Sequence, residues 1–386
     1  MSFKPKHIMV LAGEPSGDLH GANLLKELKK KEPSVNITGI GGDGMKACGM
    51  ELFFHIDQLS VMGVTEVLFQ FNIIKKAFDL FKAKIRTTSP DLLILIDYPG
   101  FNLRAAAFAK KNNIPVLYYI TPKIWAWKKS RIKKIKLYVD HAALIFPFEE
   151  KLYLKEHIPC TFVGHPLLDF YTDQMVEKKE KRENSSLVVG LLPGSRESEI
   201  SNLLETMLQA AIIIAEKQNN VKFLVSQALS VNQEHFKAVL HRYNHDNHDN
   251  HDNLFTIVKG DVARIFKKAD FLVAASGTVT LEAAICRIPM VIVYKMSFVS
   301  YSLAKIFVKL NHVGLANIIA GKEVIPELIQ NSATPEKIAD KTLSILKDKN
   351  LSSMAGRLSM IRNLLGGKGA SKRTAKIAHD MIWKKL

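Results

Sequence analysis

Short apolar runs alternate with amphipathic stretches along most of the chain, and this alternation limits its fold more than any other feature. In the first half the runs have the length of β-strands, and segments with a helical pattern separate most of them. Alternation of this kind is typical of a parallel sheet wrapped by helices. The predicted strands of this half are residues 8–12, 35–40, 92–97, 116–120, 142–147 and 161–164.

A charged segment without apolar periodicity interrupts this pattern, and a second alternation begins at Leu187. Past Glu327 the chain looks wholly helical. We predict an α/β protein in which two doubly wound, Rossmann-like domains face each other across a cleft, with a helical C-terminal tail that packs on the first domain or on a partner subunit. The later strands are predicted at 221–225, 255–258, 271–275 and 290–294. The predicted parts are a first domain at 1–170, a linker at 171–186, a second domain at 187–365 and the tail at 366–386.

The charge balance narrows the classes of partner. The chain holds 54 Lys and Arg against 37 Asp and Glu, a net charge of +17, which favours nucleic acid, an anionic membrane surface or anionic small substrates. The three cysteines are far apart and form no CxxC pair, so we interpret them as reduced structural thiols. No apolar window is long enough to span a bilayer, and the short apolar run near the N-terminus predicts a strand rather than a signal peptide. We therefore expect a soluble or peripheral protein.

The segment after residue 187 contains a candidate anion site. An apolar strand ends at Pro193-Gly194-Ser195, and Arg196 then opens a segment of helical composition. The first N–H groups of a helix lack partners and lie at the positive end of its dipole, so Ser195 and Arg196 are predicted to meet a phosphate. On these residues alone, an ordinary turn with a surface arginine remains an alternative.

A second candidate phosphate site follows the strand at 271–275. Ser276, Gly277 and Thr278 form a turn that leads into a helix of small residues, and their backbone N–H and hydroxyl groups are predicted to cradle a diphosphate. The sequence has no P-loop lysine here, which favours a diphosphate leaving group stabilised by a helix dipole and arginine rather than by a metal ion. Glu282, one turn into that helix, is a candidate for binding ribose hydroxyls. The alternative is that Glu282 is an ordinary surface carboxylate.

Two acidic segments follow strands of the first half. Glu14, Ser16, Gly17 and Asp18 come directly after the first strand, where glycine permits close backbone approach and Ser16 is predicted to cap a helix that begins near Asp18. This is not the GxGxxG dinucleotide fingerprint. Solvated carboxylates at a helix start are the alternative interpretation of Glu14 and Asp18.

Asp97 ends the buried run at 92–96, at the edge where parallel sheets carry their reactive groups. There it is a candidate general base that takes a proton from an acceptor hydroxyl; capping of the following helix is its alternative role. Asn102, together with Ser16 and Gly17, is predicted to lie on the acceptor side.

Aromatic and aliphatic residues beside lysines predict contact with an anionic bilayer surface. A packed helix, a solvated basic face and nucleic-acid binding are alternative interpretations. The run at 244–253, NHDNHDNHDN, is predicted to be a solvated loop rather than a metal site. The predicted membrane contacts are Val67, Leu68, Phe69, Phe71, Trp125 and Trp127.

Together, these segments resemble the lipid-A-disaccharide synthase family, bacterial glycosyltransferases of the two-domain GT-B architecture. The resemblance runs nearly from end to end. It is carried by GEPSGD at 13–18, SVMGVTEVL at 60–68, IDYPGFN at 96–102, TPKIWAWKKSRIKKI at 121–135, FVGHPLLD at 162–169, LLPGSRESEI at 191–200, AASGTVTLEAA at 274–284 and LANIIAGKEVIPELIQ at 315–330.

The resemblance implies transfer of 2,3-diacylglucosamine from its UDP conjugate to the 6-hydroxyl of 2,3-diacylglucosamine 1-phosphate, with inversion, release of UDP and no metal or other cofactor. It implies Asp97 as the base, Glu14 as a second carboxylate and Arg196 beside the UDP phosphates. A peripheral position on the cytoplasmic face of the inner membrane, and a dimer that exchanges its C-terminal segment, are further implications. The residues implied to help hold UDP, in addition to the two phosphate loops that include Gly194, are Asn317, Glu327 and Gln330.

Three other functions remain open from the sequence. Another GT-B transferase acting on a lipid-linked sugar and a UDP-sugar epimerase share the expected scaffold. A basic nucleic-acid-binding protein is a more distant alternative, although no nucleic-acid module accompanies the basic run.

Overall fold

The computed structural model describes residues 5–59, 67–125, 130–171, 186–245, 254–296 and 312–384. The chain divides into two units. The first consists of Met1–Asp169 with Leu365–Leu386, and the second consists of Phe170–Leu364. None of the described helices is long and apolar enough to cross a membrane.

The first unit is built on a seven-stranded parallel sheet in the order β3-β2-β1-β4-β5-β6-β7. The central strand β4, Leu92–Ile96, is apolar at every position and buried at every position, as expected for a strand covered on both faces. The other strands are β1 His7–Ala12, β2 Asn36–Gly41, β3 Glu51–His55, β5 Val116–Tyr119, β6 His141–Leu144 and β7 Cys160–Phe162.

Helices cover both faces of this sheet. On one face Leu93 and Leu95 share a core with Phe81 and Phe101 from two neighbouring helices. On the other face Gly17 lets the first helix approach the sheet, because an added Cβ would lie 3.2 Å from the Cβ of Ala12. The helices are α1 Pro15–Lys31, α2 Asp43–Ala47, α3 Val67–Thr88, α4 Pro99–Lys111, α5 Ser130–Tyr138, α6 Pro147–Lys155 and α7 Leu167–Phe170.

The second unit contains a six-stranded parallel sheet in the order β10-β9-β8-β11-β12-β13. Its strands are β8 Leu187–Leu192, β9 Val221–Gln227, β10 Phe255–Lys259, β11 Phe271–Ala275, β12 Met290–Tyr294 and β13 Glu327–Ile329. Its helices are α8 Glu197–Lys217, α9 Gln233–His245, α10 Val262–Lys268, α11 Thr278–Ile285, α12 Leu315–Ala320, α13 Pro335–Leu346 and α14 Asp348–Leu364.

The last helix, α15 (Ala370–Trp383), returns to the first unit and packs on α1. Asp169 accepts a hydrogen bond of 2.5 Å from the backbone N–H of Gly369, and the Arg373 Nε donates to the Val163 carbonyl at 2.7 Å. Within one chain the tail therefore completes the first unit. Exchange of the tail between subunits stays a prediction.

The prediction of a wholly helical chain past Glu327 was wrong, because β13 is a strand there. This strand has three residues and pairs with β12 alone, so it is too short to produce an apolar alternation. The edge strand β3 was not predicted. Pro147 begins a helix rather than ending a strand. Residues 172–185 of the predicted linker at 171–186, and residues 246–253 of the NHDNHDNHDN run, lie outside the described residues.

Candidate functional site

In the first unit, the turn after β4 holds Asp97 in an unusual backbone conformation. Asp97 and Tyr98 have φ of 46° and 47°, in the left-handed region that non-glycine residues seldom adopt. Two donors fix this turn through the Asp97 carbonyl oxygen: the Asn102 Nδ2 at 2.7 Å and the Tyr118 hydroxyl at 2.8 Å. A strained turn that is held by two hydrogen bonds gives the Asp97 side chain a defined position.

The surroundings of Asp97 suit a general base. Burial raises the pKa of its carboxyl above the ordinary value, and the negative charge of Glu14 raises it further. The positive charge of Lys123 acts in the opposite direction and lowers this pKa. A carboxylate with a raised pKa binds a proton more strongly, which improves it as a base near neutral pH.

Glu14 is placed beside this turn by a close approach of two chain segments. Tyr98 lies against Gly13, where an added Cβ would be 2.2 Å from the Tyr98 Cδ1, so no larger residue fits. Glu14 is the N-cap of α1, which begins at Pro15. Ser16 therefore lies in the first turn of the helix, and the prediction that Ser16 caps it was wrong.

Two other polar residues of this region support the backbone. Asp18 accepts hydrogen bonds from the N–H groups of Gly42, Gly44 and Met45, at 2.7, 2.9 and 3.1 Å. It therefore organises the start of α2 and is not a solvated carboxylate. Asn102 is only 1% exposed, and its amide holds backbone carbonyls. Gly17 is buried as well, so of the three predicted acceptor-side residues Ser16 alone is exposed.

In the second unit, a carboxylate of the protein occupies the predicted anion position at the start of α8. Glu199 Oε2 accepts hydrogen bonds from the N–H groups of Ser195 at 2.9 Å and Arg196 at 3.3 Å. Gly194, at φ 118°, leaves room for this carboxylate, because a Cβ would lie 2.3 Å from Oε2. The expectation that these N–H groups lack partners is therefore wrong, and phosphate binding at this turn stays a prediction. The Arg196 side chain is 79% exposed and lies 3.5 Å from the Glu199 Oε1, so its guanidinium can still reach an anion.

In the turn after β11, the Ser276 N–H donates to the Val293 carbonyl at 3.1 Å, whereas the next two N–H groups stay open among the described residues. Gly277 is the N-cap of α11, and no atom lies within 4 Å of the place that its Cβ would take. Gly277 and Thr278 are exposed, and the backbone hydrogen bonds of the described residues include no acceptor for their N–H groups. Ser276 lies beside them and donates to the Val313 carbonyl at 3.4 Å. Open N–H groups at the positive end of a helix suit a phosphate.

Glu282, on the same helix, already has a partner. The Tyr171 hydroxyl donates a hydrogen bond of 2.6 Å to the Glu282 Oε2. Burial raises the pKa of the Glu282 carboxyl, and the hydrogen bond from Tyr171 opposes this effect. A ribose hydroxyl that binds Glu282 would have to share or replace the Tyr171 hydroxyl.

The three remaining residues that were predicted to bind the nucleotide form hydrogen bonds with the backbone of nearby loops. Asn317 is 0% exposed: its Nδ2 donates to the Ile325 carbonyl and to Glu327, and its Oδ1 accepts from two backbone N–H groups. Glu327 also accepts from the N–H groups of Val313 at 2.8 Å and Gly314 at 2.9 Å. Gln330 exchanges two hydrogen bonds with the backbone of Met296, at 2.7 and 3.0 Å. In this structure they hydrogen-bond to nearby backbone, and their direct contact with a nucleotide stays a prediction.

Trp125 packs inside the first unit. Its indole Nε1 donates a hydrogen bond of 3.0 Å to the Glu149 Oε1, and its ring meets Phe146 and Phe148 edge-on at centroid distances of 6.2 and 5.2 Å. The N–H that an interfacial tryptophan offers to head groups is thus already used inside the protein, and membrane contact of Trp125 stays a prediction. The remaining predicted membrane contacts, namely the side chains of Val67, Leu68, Phe69 and Phe71 and the whole of Trp127, lie outside the described residues.

The sequence analysis missed Tyr118, Lys123, Glu149 and Glu199. An acid three residues after an N-cap is a known capping signal. The spacing of Arg196 and Glu199 could therefore have predicted that Glu199 binds the N–H groups at the start of α8. The other three act across strands and have no local pattern. Within the described ranges no group of three or more His, Cys, Asp or Glu residues could hold a metal ion; independence from metal stays a prediction.

Solved structures share this arrangement of strands and helices. A putative UDP-N-acetylglucosamine 2-epimerase from Listeria monocytogenes matches with a TM-score of 0.66 at 13% identity, over 99% of this chain and 98% of its own. MurG from Acinetobacter baumannii matches with a TM-score of 0.61 at 16% identity, over 98% of this chain and 100% of its own. At these identities the likeness shows the fold alone, and it defines an α/β protein of the GT-B class.

The sequence relatives narrow this class to one family. The family model for lipid-A-disaccharide synthetase matches residues 8–380. Lipid-A-disaccharide synthase from Coxiella burnetii (strain Dugway 5J108-111) is 40% identical over 383 residues, 98% of this chain and 99% of the relative. The enzyme of the same name from Trichlorobacter lovleyi is 39% identical over 384 residues, 98% of each chain. The chain belongs to the lipid-A-disaccharide synthase family and is a glycosyltransferase.

Proposed function

We propose that this enzyme transfers 2,3-diacylglucosamine from its UDP conjugate to the 6-hydroxyl of 2,3-diacylglucosamine 1-phosphate. The products are the β-1,6-linked disaccharide 1-phosphate and UDP. The observation that carries the proposal is Asp97, a partly buried carboxyl of raised pKa on a fixed turn, in a chain of this family.

Asp97 acts as the general base. Its carboxylate takes the proton of the acceptor's 6-hydroxyl while the oxygen forms a bond to the anomeric carbon of the donor. The bond between that carbon and the UDP oxygen breaks, and UDP leaves with the electron pair. Because the acceptor attacks the face opposite the leaving group, one displacement inverts the anomeric configuration. The negative charge of Glu14 raises the proton affinity of Asp97.

The second unit holds the donor. The open N–H groups of Gly277 and Thr278, at the positive end of α11, bind the diphosphate. The exposed guanidinium of Arg196 neutralises the charge that develops as UDP leaves. Glu282 receives ribose hydroxyls in exchange for Tyr171. We propose that these groups act without a metal ion.

Membrane contact is a further part of the proposal. A net charge of +17 attracts the protein to anionic head groups, and we propose that Val67, Leu68, Phe69 and Phe71 enter the bilayer surface. The enzyme then meets its acylated substrates on the cytoplasmic face of the inner membrane, as a peripheral protein.

The test is release of UDP from UDP-2,3-diacylglucosamine with and without the acceptor, in the presence of EDTA. We expect release to require the acceptor, to yield disaccharide in equal amount and to persist with the chelator. Release that ignores the acceptor, or conversion of the donor to an epimer, would contradict the proposal and favour the epimerase alternative.

A further inference from the structure

The loop that follows β5 contains an exposed lysine, Lys123, whose charge acts on Asp97. β5 lies beside β4 in the sheet, so the loop leaves the sheet one strand away from the turn that holds Asp97. Pro122 and Ile124 are buried, whereas Lys123 between them is exposed. The loop therefore presents one long cationic side chain to solvent at this edge.

Three hydrogen bonds anchor this loop. At its start, the Ile120 N–H donates to the Ala143 carbonyl at 3.3 Å. At its end, the Trp125 indole donates to Glu149 at 3.0 Å, and Glu149 is only 1% exposed. Inside the loop, the Ile124 N–H donates to the Pro122 carbonyl at 2.7 Å. Because both ends are fixed, the backbone of Lys123 has a defined position.

The ammonium group of Lys123 makes no hydrogen bond or salt bridge to a residue in the described ranges, yet its charge is felt by its neighbours. It lowers the pKa of the Asp97 carboxyl and the pKa of the Glu149 carboxyl. An exposed cation on an anchored backbone, which acts on the candidate base without pairing to it, is available to an anion supplied by a ligand.

We propose that Lys123 binds the anomeric phosphate of the acceptor and that the Trp125–Glu149 hydrogen bond positions it. This inference rests on the proposed function and specifies which group recognises the acceptor's phosphate. In a hexopyranose the 6-hydroxyl and the anomeric oxygen are joined through C6, C5, the ring oxygen and C1. Their separation is of the same order as the spacing of neighbouring strands, about 4.8 Å. An acceptor whose 6-hydroxyl lies at Asp97 therefore brings its phosphate within reach of Lys123.

Two acceptors separate recognition of the phosphate by Lys123 from a general effect of Lys123 on acceptor binding. They are 2,3-diacylglucosamine 1-phosphate and the same sugar without phosphate. We expect Lys123→Gln to raise KM for the phosphorylated acceptor by about tenfold or more, the usual loss for a hydrogen bond to a charged group, with little change in kcat. At a pH above the acid limb, where Asp97 is ionised in both proteins, the substitution should affect the unphosphorylated acceptor far less than the phosphorylated one, and affinity for UDP should not change.

Three more variants complete the design. Lys155→Gln removes an equal charge from the far end of α6 and should leave the preference for the phosphorylated acceptor unchanged. Lys123→Arg keeps the charge and should retain most of that preference. Trp125→Phe keeps a ring but removes the indole N–H, and should weaken the preference in the same direction as Lys123→Gln.

The outcomes separate the two proposals. An equal loss on both acceptors, or a loss of UDP affinity with the phosphate preference intact, would overturn the role of Lys123 and leave the proposed function standing. A wild-type enzyme that releases no UDP with either acceptor would overturn both.

Discussion

The Asn317 Nδ2 donates a hydrogen bond of 2.7 Å to the Glu327 Oε1, and both side chains serve the backbone around them. Glu327 receives the N–H groups of Val313 and Gly314, which lie at the start of α12. The Asn317 Oδ1 accepts from two backbone N–H groups. These hydrogen bonds join the start of α12 to the segment that leads into β13.

Replacing Asn317 should act mainly on stability. Asn317→Ala leaves the N–H groups of Val324 and Ile325 without an acceptor, so we expect the free energy of unfolding to fall by roughly 1–3 kcal/mol. The measurement is urea unfolding together with calorimetric titration of UDP. Arg196→Gln is the matched comparison, because an exposed arginine should weaken UDP binding while leaving stability unchanged. Lost UDP affinity at full stability in Asn317→Ala would show direct contact instead.

Asp97→Asn should lower turnover by on the order of a hundredfold or more, the contribution usual for a general base. The amide has almost the same size but cannot accept the proton. Affinity for UDP should stay near the wild-type value, since Asp97 belongs to the first unit and the proposed diphosphate site to the second. Steady-state kinetics and UDP titration test this, and near-normal turnover would refute the assignment.

Glu14→Gln should shift the acid limb of the kcat/KM profile to lower pH. The Glu14 charge raises the pKa of Asp97, so its removal lowers that pKa and keeps Asp97 ionised in more acidic solution. Lys123→Gln should move the limb in the opposite direction, because Lys123 lowers the same pKa. The measurement is the kcat/KM profile of the wild type, Glu14→Gln and Lys123→Gln from pH 5 to 9. If the acid limb does not move in Glu14→Gln, a group other than Asp97 controls the acid limb.

The buried Glu149 should make stability depend on pH. Burial raises the pKa of its carboxyl to about 7, above its pKa in the unfolded chain. Between these two pKa values the folded protein holds a proton on Glu149 that the unfolded chain has released. Stability must then fall as pH rises through this window and level off above it. We expect the wild type to lose on the order of a few kcal/mol relative to Glu149→Gln between pH 5 and 8. If the unfolding free energies of the wild type and of Glu149→Gln changed in parallel between pH 5 and 8, Glu149 would not ionise in this window.

Val67→Ser with Leu68→Ser should weaken sedimentation with anionic vesicles while leaving the melting temperature unchanged. Two hydroxyls in place of two apolar side chains remove surface that would enter the bilayer. Added salt should weaken the association of both proteins, because the basic charge contributes. Unchanged sedimentation would assign these side chains to the protein core.

Much of the architecture was predictable because it depends on local pattern. The buried run at 92–96 and the alternation around it indicated a parallel sheet, and the polarity change after Phe170 indicated a break between two sets of strands. Asp97 was identifiable as a candidate base because an acid at the carboxyl end of an apolar run is a local signal. By contrast β3 and β13, at the edges of the two sheets, lacked a sufficient apolar pattern.

The sequence alone determined the class of fold, the family and the places where acids and glycines follow strands, since these depend on residues near one another in the chain. Only the tertiary structure decided which of those residues remain available to a ligand. It placed the Glu199 carboxylate on the N–H groups of Ser195 and Arg196, buried Asn317 in its own loop and joined Trp125 to Glu149. The physical reason is that a polar group is satisfied by whichever partner folding brings within about 3 Å, and the local pattern of the sequence does not contain that distance.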